Sequence, residues 1–272
     1  MTEMHERLTT GDASRKFVCL TFDDGYIDNY DIAQPICAEY GAPMTIYVAT
    51  GAIDGQTTYW WYGLEDLIAG NQALDVTHRG RDLSFETAST VDKYRAYQAL
   101  EAAFRAACDD EQSGMMGQLK DRYGVDFNKS SRDRAMSWQM IKELAQRDDV
   151  EIGAHTVSHK VLAELSDERA REEITQSRHV LEDRLSHPVA HFAYPYGHAG
   201  TCGKREFAIC RQLGFSTAVT TCIATLKPDH KSSLYSLPRL PVWSDETRAT
   251  AALKLSGAFE LVHRLRRTGA AA

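Results

Sequence analysis

The sequence predicts an α/β fold in which short buried strands alternate with helices. Two observations support this prediction. Apolar runs rich in β-branched and aromatic residues recur along the chain, and most are followed by apolar residues at helical spacing. Repeated strand and helix units imply parallel strands with helices packed outside them. The alternation breaks down from about residue 56 to about residue 134, which indicates a helical insertion after the second strand.

Size and composition limit the classes of protein to which the chain can belong. A chain of 272 residues can bury one substantial core, so we predict a single domain over residues 1–272, with the insertion at about 56–134. The formal charge of −7 gives no basic surface for phosphate groups, which argues against a nucleic-acid partner. No stretch approaches the roughly 20 apolar residues of a transmembrane helix.

The amino-terminal segment and the cysteines bear on location. Met1 to Lys16 is polar and lacks the apolar core of a signal peptide. As given, the sequence predicts a cytoplasmic protein, whereas a longer natural amino terminus would allow an extracytoplasmic one. The six cysteines form no CxxC pair, and we expect them to be reduced.

The first strand and helix are predicted by simple patterns. Phe17–Phe22 is a short apolar run that stops at two acidic residues and a glycine, as a buried strand does where it enters a loop. The motif Thr21–Gly25 therefore lies at the carboxyl end of a strand. Helical spacing follows over Asn29–Tyr40, where Pro35 is expected to kink the helix and Gly41 to end it.

The same patterns predict the later elements. Met44–Val48 is the second strand, and the insertion contains a helix near Val91–Cys108. The aromatic cluster Tyr59–Tyr62 would either line a sugar subsite or anchor the insertion to the core, and the second alternative is at least as good. The elements predicted after the insertion are a helix capped by Ser137 over Trp138–Gln146, the strand Val150–Gly153, a helix from Ser166 or Asp167 to about Leu185, the strand Pro188–Tyr194, the helix Lys204–Leu213 and the strand Phe215–Val219.

A second polar motif, His155–His159, follows the strand Val150–Gly153. Two histidines four residues apart project to the same side of a helix or tight turn, and imidazole is the commonest protein ligand of zinc. A catalytic zinc ion takes three protein ligands, so one residue of the pair Asp23 and Asp24 completes the set. The other aspartate can then accept a proton from the water that the metal activates. Either motif alone is common as a turn or a packing pair, but the two together predict a metal-dependent hydrolase.

These residues resemble the motifs of the polysaccharide deacetylases, carbohydrate esterase family 4. Thr21–Gly25 is similar to the first motif of the family, His155–His159 to the second and Phe192–Gly197 to the third. Leu237–Pro241 falls where a later motif is expected. The resemblance extends over most of Phe17–Trp243, excluding much of the insertion, and implies a distorted (β/α) barrel related to TIM barrels.

The resemblance also implies roles for individual residues. Asp23 would be the general base, while Asp24, His155 and His159 would hold a divalent metal ion. The backbone N–H of Tyr196 would help to bind the oxyanion. The implied reaction is hydrolysis of an N-acetyl group on an amino sugar, so an N-acetylated saccharide is the expected partner. Zinc is the first expectation, although the ligand types alone do not separate it from cobalt, nickel or iron.

The sequence departs from the family pattern in two respects, the arginine that orients the catalytic aspartate and the general acid. The family usually has an arginine at the position of Ala193, where it orients the catalytic aspartate. Arg239 would either substitute for it from another strand or form a structural ion pair, and the sequence favours neither. The general acid is the second gap: His198 and His263 are candidates, but each is more readily explained as an exposed histidine.

Three alternatives to the deacetylase remain at this stage. The same site would suit another C–N hydrolase, such as a deformylase or a small-molecule amidase. The absence of the usual arginine at Ala193 suggests a catalytically weak saccharide-binding protein instead. A metal-free glycosidase using Asp23 and Asp24 is the least favoured, because adjacent residues are hard to place roughly 5 to 9 Å apart across a glycosidic bond.

Overall fold

A computed structural model describes residues 1–12 and 14–258 of the chain. They fold into two compact units. The first unit comprises Met1–Thr50 and the chain from Ser137 onward, and the second comprises Gly51–Met136. Whether the whole chain acts as a single catalytic domain stays a prediction. His263, one of the two candidates for the general acid, lies outside the described residues.

The described part of the chain contains strands and helices in alternation. The strands are β1 (Leu20–Phe22), β2 (Met44–Val48), β3 (Ala73–His78), β4 (Arg81–Glu86), β5 (Val150–Ala154), β6 (His191–Ala193), β7 (Thr217–Ile223) and β8 (Leu237–Arg239). The α-helices are α1 (Thr2–Thr10), α2 (Gln34–Glu39), α3 (Thr50–Ile53), α4 (Trp60–Gly70), α5 (Thr90–Arg105), α6 (Asp109–Tyr123), α7 (Phe127–Arg132), α8 (Trp138–Ala145), α9 (Asp167–Leu185), α10 (Lys204–Gln212) and α11 (Arg248–Leu255). None of the described helices is both long enough and apolar enough to cross a bilayer.

The first unit is built on a six-stranded sheet in the order β1-β2-β5-β6-β7-β8. All neighbouring strands are parallel; Leu20 pairs with Met44, for example, and Ile46 with Ile152. Sheet order therefore follows chain order once the hairpin β3–β4 is set aside. Because the strands are parallel, their carboxyl ends lie at the same edge, and both polar motifs emerge there.

This sheet curls until its two outer strands approach each other. Arg239, the last residue of β8, donates a hydrogen bond from Nη1 to Oγ1 of Thr21 in β1 at 3.2 Å. In a flat sheet, the five intervals between these strands would separate them by about 24 Å. The contact is therefore incompatible with a flat sheet, and the predicted distorted (β/α) barrel is confirmed.

Helix α1 lies at the opposite end of the curled sheet from the motifs. The backbone N–H of Thr2 donates to Oε1 of Glu151, near the start of β5, at 3.0 Å, and Thr2 Oγ1 lies 3.1 Å from Nε2 of His191, the first residue of β6. The apolar face of α1 belongs to one buried cluster, made of Met4, Leu8, Tyr47, Ala193, Val219 and Leu237. No helix was predicted here from the sequence, and α1 covers the amino ends of the strands.

The predicted kink at Pro35 appears as a change of helix type. Asn29–Ala33 forms a π-helical turn, and α2 then begins with Pro35 in its first turn. Proline is tolerated at that position because the first N–H groups of a helix have no partner within it. Gly41 follows with φ of 58°, a conformation that glycine adopts readily at the end of a helix.

The second unit has its own core and corresponds to the predicted insertion. The Trp60 ring stacks on Phe104 with centroids 5.1 Å apart, and Trp60 is 6% exposed. The aromatic cluster thus anchors this unit internally. The insertion contains helices as predicted, but β3 and β4 also form an antiparallel hairpin that was not predicted. Its polar residues concealed the alternation that buries Leu74 and Val76.

Candidate active site

The acidic motif leaves β1 in a tight turn that separates its two carboxylates. Asp24 has φ of 73° and Gly25 has φ of 81°, and the Gly25 N–H donates to the Asp23 carbonyl at 2.9 Å. Successive residues with positive φ bend the chain sharply directly after Asp23. The side chains of Asp23 and Asp24 consequently have different partners.

The histidine motif follows β5 as a loop rather than a helix. Thr156 and His159 both have positive φ, at 65° and 53°, and the His159 N–H donates to Thr156 Oγ1 at 3.0 Å. Of the two geometries considered from the sequence, the tight turn is therefore the one observed. It brings the His155 and His159 rings together, with centroids 5.0 Å apart.

A hydrogen bond to the backbone determines which nitrogen of His155 carries its proton. Nδ1 lies 2.7 Å from the Ala193 carbonyl oxygen. Because a carbonyl oxygen only accepts hydrogen bonds, Nδ1 must carry the hydrogen and donate it. The lone pair of the neutral ring is then on Nε2, which faces Asp24. An acceptor of this kind behind the second ring nitrogen of a histidine is the usual outer support of a metal ligand.

Asp24, His155 and His159 have the composition and spacing of a metal site. Asp24 Oδ1 lies 3.2 Å from His155 Nε2 and 3.1 Å from His159 Nε2, and the three ligand atoms lie within 4.8 Å of one another. Ligands about 2.0 to 2.1 Å from a tetrahedral zinc ion are roughly 3.3 Å apart, so the observed spacing fits. Burial raises the pKa of Asp24, but the two imidazoles outweigh it and hold that pKa well below its ordinary value.

Asp23 forms a bidentate ion pair with Arg239. Nη1 of the guanidinium donates to Oδ1 at 2.7 Å and Nη2 donates to Oδ2 at 2.6 Å. Arg239 is held from behind, because its Nε donates to the Thr220 carbonyl at 3.0 Å and its guanidinium lies 5.9 Å from the centre of the Tyr47 ring. Burial raises the pKa of Asp23, but the arginine more than offsets this and lowers the pKa below its usual value.

The third motif is held against β7 by Thr221, a residue that was not predicted from the sequence. The Thr221 hydroxyl donates to the Tyr196 carbonyl at 2.6 Å, and the Thr221 N–H donates to the Gly197 carbonyl at 2.9 Å. Tyr196 and Gly197 both have φ of 61°, and a Cβ atom at Gly197 would lie 2.8 Å from the Thr221 nitrogen. Glycine is therefore required at this close approach. The Tyr196 ring lies 4.9 Å from the His159 ring, which places the motif beside the metal-site residues.

The sequence-predicted residues thus come together at one edge of the sheet. Asp23 contacts Arg239, Asp24 contacts both histidines, and Tyr196 contacts His159. His198, a candidate for the general acid, is exposed, and its Nδ1 donates to the Ala199 carbonyl at 2.9 Å. Thr221 and the Ala193 carbonyl were missed because a single hydroxyl or carbonyl leaves no pattern in a sequence.

Comparison with known proteins identifies the family. A family model described as polysaccharide deacetylase matches residues 10–218. Among the curated proteins, none matches the chain significantly.

Several solved structures share the fold. The deacetylase PplD of Streptococcus pyogenes, solved in complex with acetate, has a TM-score of 0.59 at 19% identity, over 93% of this chain and 77% of that chain. IcaB from Ammonifex degensii has a TM-score of 0.55 at 18% identity, over 93% of this chain and 80% of that one. A de-N-acetylase from Aggregatibacter actinomycetemcomitans has a TM-score of 0.52 at 13% identity, with the same two coverages of 93% and 80%. At these identities the likeness concerns the fold. The family model itself spans well over half of the chain, and the protein therefore belongs to the polysaccharide deacetylases, carbohydrate esterase family 4.

Proposed function

We propose that this protein uses a divalent metal ion, zinc in the first instance, to hydrolyse the N-acetyl group of an amino sugar in an oligo- or polysaccharide. One observation carries the proposal: the three-ligand cluster of Asp24, His155 and His159 lies beside Asp23, a second carboxylate that is paired with an arginine. Family membership supports carbohydrate as the substrate class. Similar folds are found in proteins described as a deacetylase and a de-N-acetylase.

The proposed metal site uses residues that are already oriented. Asp24, His155 and His159 would hold the ion, and the hydrogen bond from His155 Nδ1 to the Ala193 carbonyl directs Nε2 toward it. When bound, a divalent ion supplies Lewis acidity, which lowers the pKa of a water molecule and polarises an acyl oxygen. The side chains of His155 and His159 are only 1% and 8% exposed, so the protein excludes most solvent from two of the three ligands.

Asp23 is proposed as the general base. The low pKa of Asp23 keeps it ionised at neutral pH, so its carboxylate can accept a proton from the attacking water. The bidentate pair with Arg239 fixes the plane of the carboxylate, and a fixed acceptor loses less entropy when the proton is transferred. An arginine at the position of Ala193 is therefore not needed to orient Asp23. This weakens the reason for considering the chain a catalytically weak saccharide-binding protein.

Tyr196 is proposed to stabilise the oxyanion through its backbone N–H. Thr221 fixes the turn at two carbonyls, of Tyr196 and Gly197, and the Tyr196 ring packs against His159. A backbone donor held in this way needs little reorganisation as negative charge develops on the acyl oxygen.

Acetate release is the test of this proposal. Wild-type protein, Asp23→Asn and the control Asp31→Asn would be loaded with Zn²⁺ and incubated with N-acetylated oligosaccharides. Asp31 is an exposed aspartate in the same segment of the chain. We expect wild type and Asp31→Asn to release acetate at equal rates. The rate of Asp23→Asn should be at least about 100-fold lower, since general base catalysis contributes roughly 100- to 10,000-fold to a rate. Activity only on small amides would instead indicate another C–N hydrolase, and an unaffected Asp23→Asn would refute the proposed base.

A further inference from the structure

Helix α9 directs a buried glutamate at the histidine motif. Glu173 is 6% exposed and lies on the buried face of α9 beside Ala170 and Ile174. A carboxylate placed among apolar neighbours is costly unless its oxygens accept hydrogen bonds. Glu173 accepts three, and all three come from the loop that contains His155 and His159.

The three hydrogen bonds fix the middle of that loop. Oε2 of Glu173 accepts from the backbone N–H groups of Val157, at 3.0 Å, and Ser158, at 2.9 Å. Oε1 accepts from the Ser158 hydroxyl at 2.7 Å. Successive N–H groups that point to one side form a concave anion-binding arrangement, and here the anion is a side chain of the same protein.

The loop has a conformation that needs such support. Thr156 and His159, on either side of the two residues that Glu173 binds, have positive φ. For a β-branched residue such as threonine this is a strained conformation, and it persists only where the surroundings enforce it. The hydrogen bonds to Glu173 enforce it from outside the loop, at the two positions between the strained residues.

We propose that Glu173 is a positioning residue that sets the relative placement of His155 and His159 and thereby the affinity of the site for a divalent cation. This inference rests on the proposed function only in requiring that Asp24, His155 and His159 bind a cation. It does not depend on the saccharide or on the release of acetate.

The test measures cation affinity directly. The proteins compared are wild type, Glu173→Ala, Glu173→Gln, Ser158→Ala and the control Glu172→Ala. Glu172 is the neighbouring residue on α9, but its side chain is 51% exposed and pairs with Arg169. The Zn²⁺ dissociation constant would be measured by competition with a chromogenic chelator. The visible absorption of the Co²⁺-loaded proteins would report the ligand arrangement.

The expected results form a graded series. Glu173→Ala should weaken Zn²⁺ binding about 10- to 100-fold, the usual effect of removing an outer support of metal ligands. Glu173→Gln should recover most of the affinity, because its amide oxygen can accept both N–H groups and its NH₂ can donate to Ser158 Oγ. Ser158→Ala should weaken binding about two- to tenfold, as expected for one hydrogen bond. Glu172→Ala should bind Zn²⁺ and absorb as wild type does.

Two outcomes would overturn the inference. One is a folded Glu173→Ala protein whose affinity and Co²⁺ spectrum equal those of wild type, since a merely structural glutamate would lower thermal stability alone. The other, decisive if Glu173→Ala does not fold, is a Ser158→Ala protein with unchanged affinity. Wild type that binds no cation would refute the metal-dependent function as well. Wild type that binds a cation in a Glu173-dependent way but releases no acetate would refute only the proposed function.

Discussion

At the scale of single residues, two adjacent aspartates are given different environments by one turn. The positive φ of Asp24 turns its carboxylate to two imidazoles, whereas Asp23 meets a guanidinium. The sequence could predict that the two carboxylates divide their roles, because adjacent residues rarely share one ion. Local pattern alone could not assign a partner to each, because those partners lie more than a hundred positions away; only the family resemblance placed Asp24 with His155 and His159.

The pair of Asp23 and Arg239 predicts the behaviour of a lysine substitution. Arg239→Lys keeps the charge but cannot make both hydrogen bonds, which contribute about 1.5 to 3 kcal/mol each when a partner is charged. We expect kcat for acetate release to fall roughly 10- to 100-fold with little change in KM. Steady-state kinetics would check this, with Arg211→Lys, an exposed substitution on α10, as the control. Full kcat in Arg239→Lys would show that the pair is only structural.

The hydrogen bond from Thr221 predicts that removing its hydroxyl loosens the turn that contains Tyr196 and lowers kcat. Thr221→Val removes the hydroxyl that donates to the Tyr196 carbonyl, and Thr221→Ser retains it. A hydrogen bond contributes about 0.5 to 1.5 kcal/mol, so kcat should fall about two- to tenfold in Thr221→Val only. Thr221 is exposed, so both variants should remain folded. Equal rates in both would indicate that the turn does not need this hydroxyl.

At the scale of elements, the sequence predicted those whose own pattern determines them. Met44–Val48 is a strand at the predicted limits, and Ser137 caps α8 as expected, because an apolar run and a capping side chain act locally. Helix α1 and the hairpin β3–β4 were missed. Each has only two buried apolar residues among many polar ones, and partners elsewhere in the fold stabilise it. The loop of His155–His159 was predicted only as one of two geometries, since its strain is maintained by Glu173.

The position of helix α1 predicts that substitutions in it change the stability of the protein but not the Zn²⁺ affinity of the site. Met4 and Leu8 are buried, and α1 lies at the amino ends of the strands. Replacing either residue by alanine should lower the free energy of unfolding by about 2 to 4 kcal/mol through the cavity it leaves. Urea unfolding would measure this, with the exposed Glu6→Ala as the control. Zn²⁺ affinity should be unchanged, and a parallel loss of affinity would mean that the helix also shapes the site.

At the scale of the whole molecule, the curl of the sheet assembles the site. The ion pair between Asp23 and Arg239 joins residues 216 positions apart. Local patterns in a sequence carry no information about such a contact. The sequence was therefore compatible with two roles for Arg239, and the structure shows it paired with Asp23. The resemblance to a known family predicted the barrel, and the contact between the outer strands β1 and β8 shows how far the sheet curls.

Global stability should depend on a histidine far from the site. Burial lowers the pKa of His191 from 6.5 to about 4. As the pH falls, the unfolded chain therefore takes up this proton before the folded protein does. The contribution of the neutral His191 to the free energy of unfolding is fully present above about pH 6.5. It is lost between pH 6.5 and 4, by up to about 3 kcal/mol. Urea unfolding at pH 7.5 and pH 5 should show that the free energy of unfolding decreases less on acidification in His191→Gln than in wild type. An identical pH dependence would assign the acid sensitivity to other groups.

Asp24, His155 and His159 are proposed to hold a metal ion that deacetylation requires. One measurement tests this proposal directly: acetate release from an N-acetylated oligosaccharide by a single preparation, before chelation, after chelation and after Zn²⁺ is returned. We expect acetate release to fall to background on chelation and to return in proportion to the Zn²⁺ bound, up to one ion per chain. Release that continues unchanged in the chelated protein would contradict it.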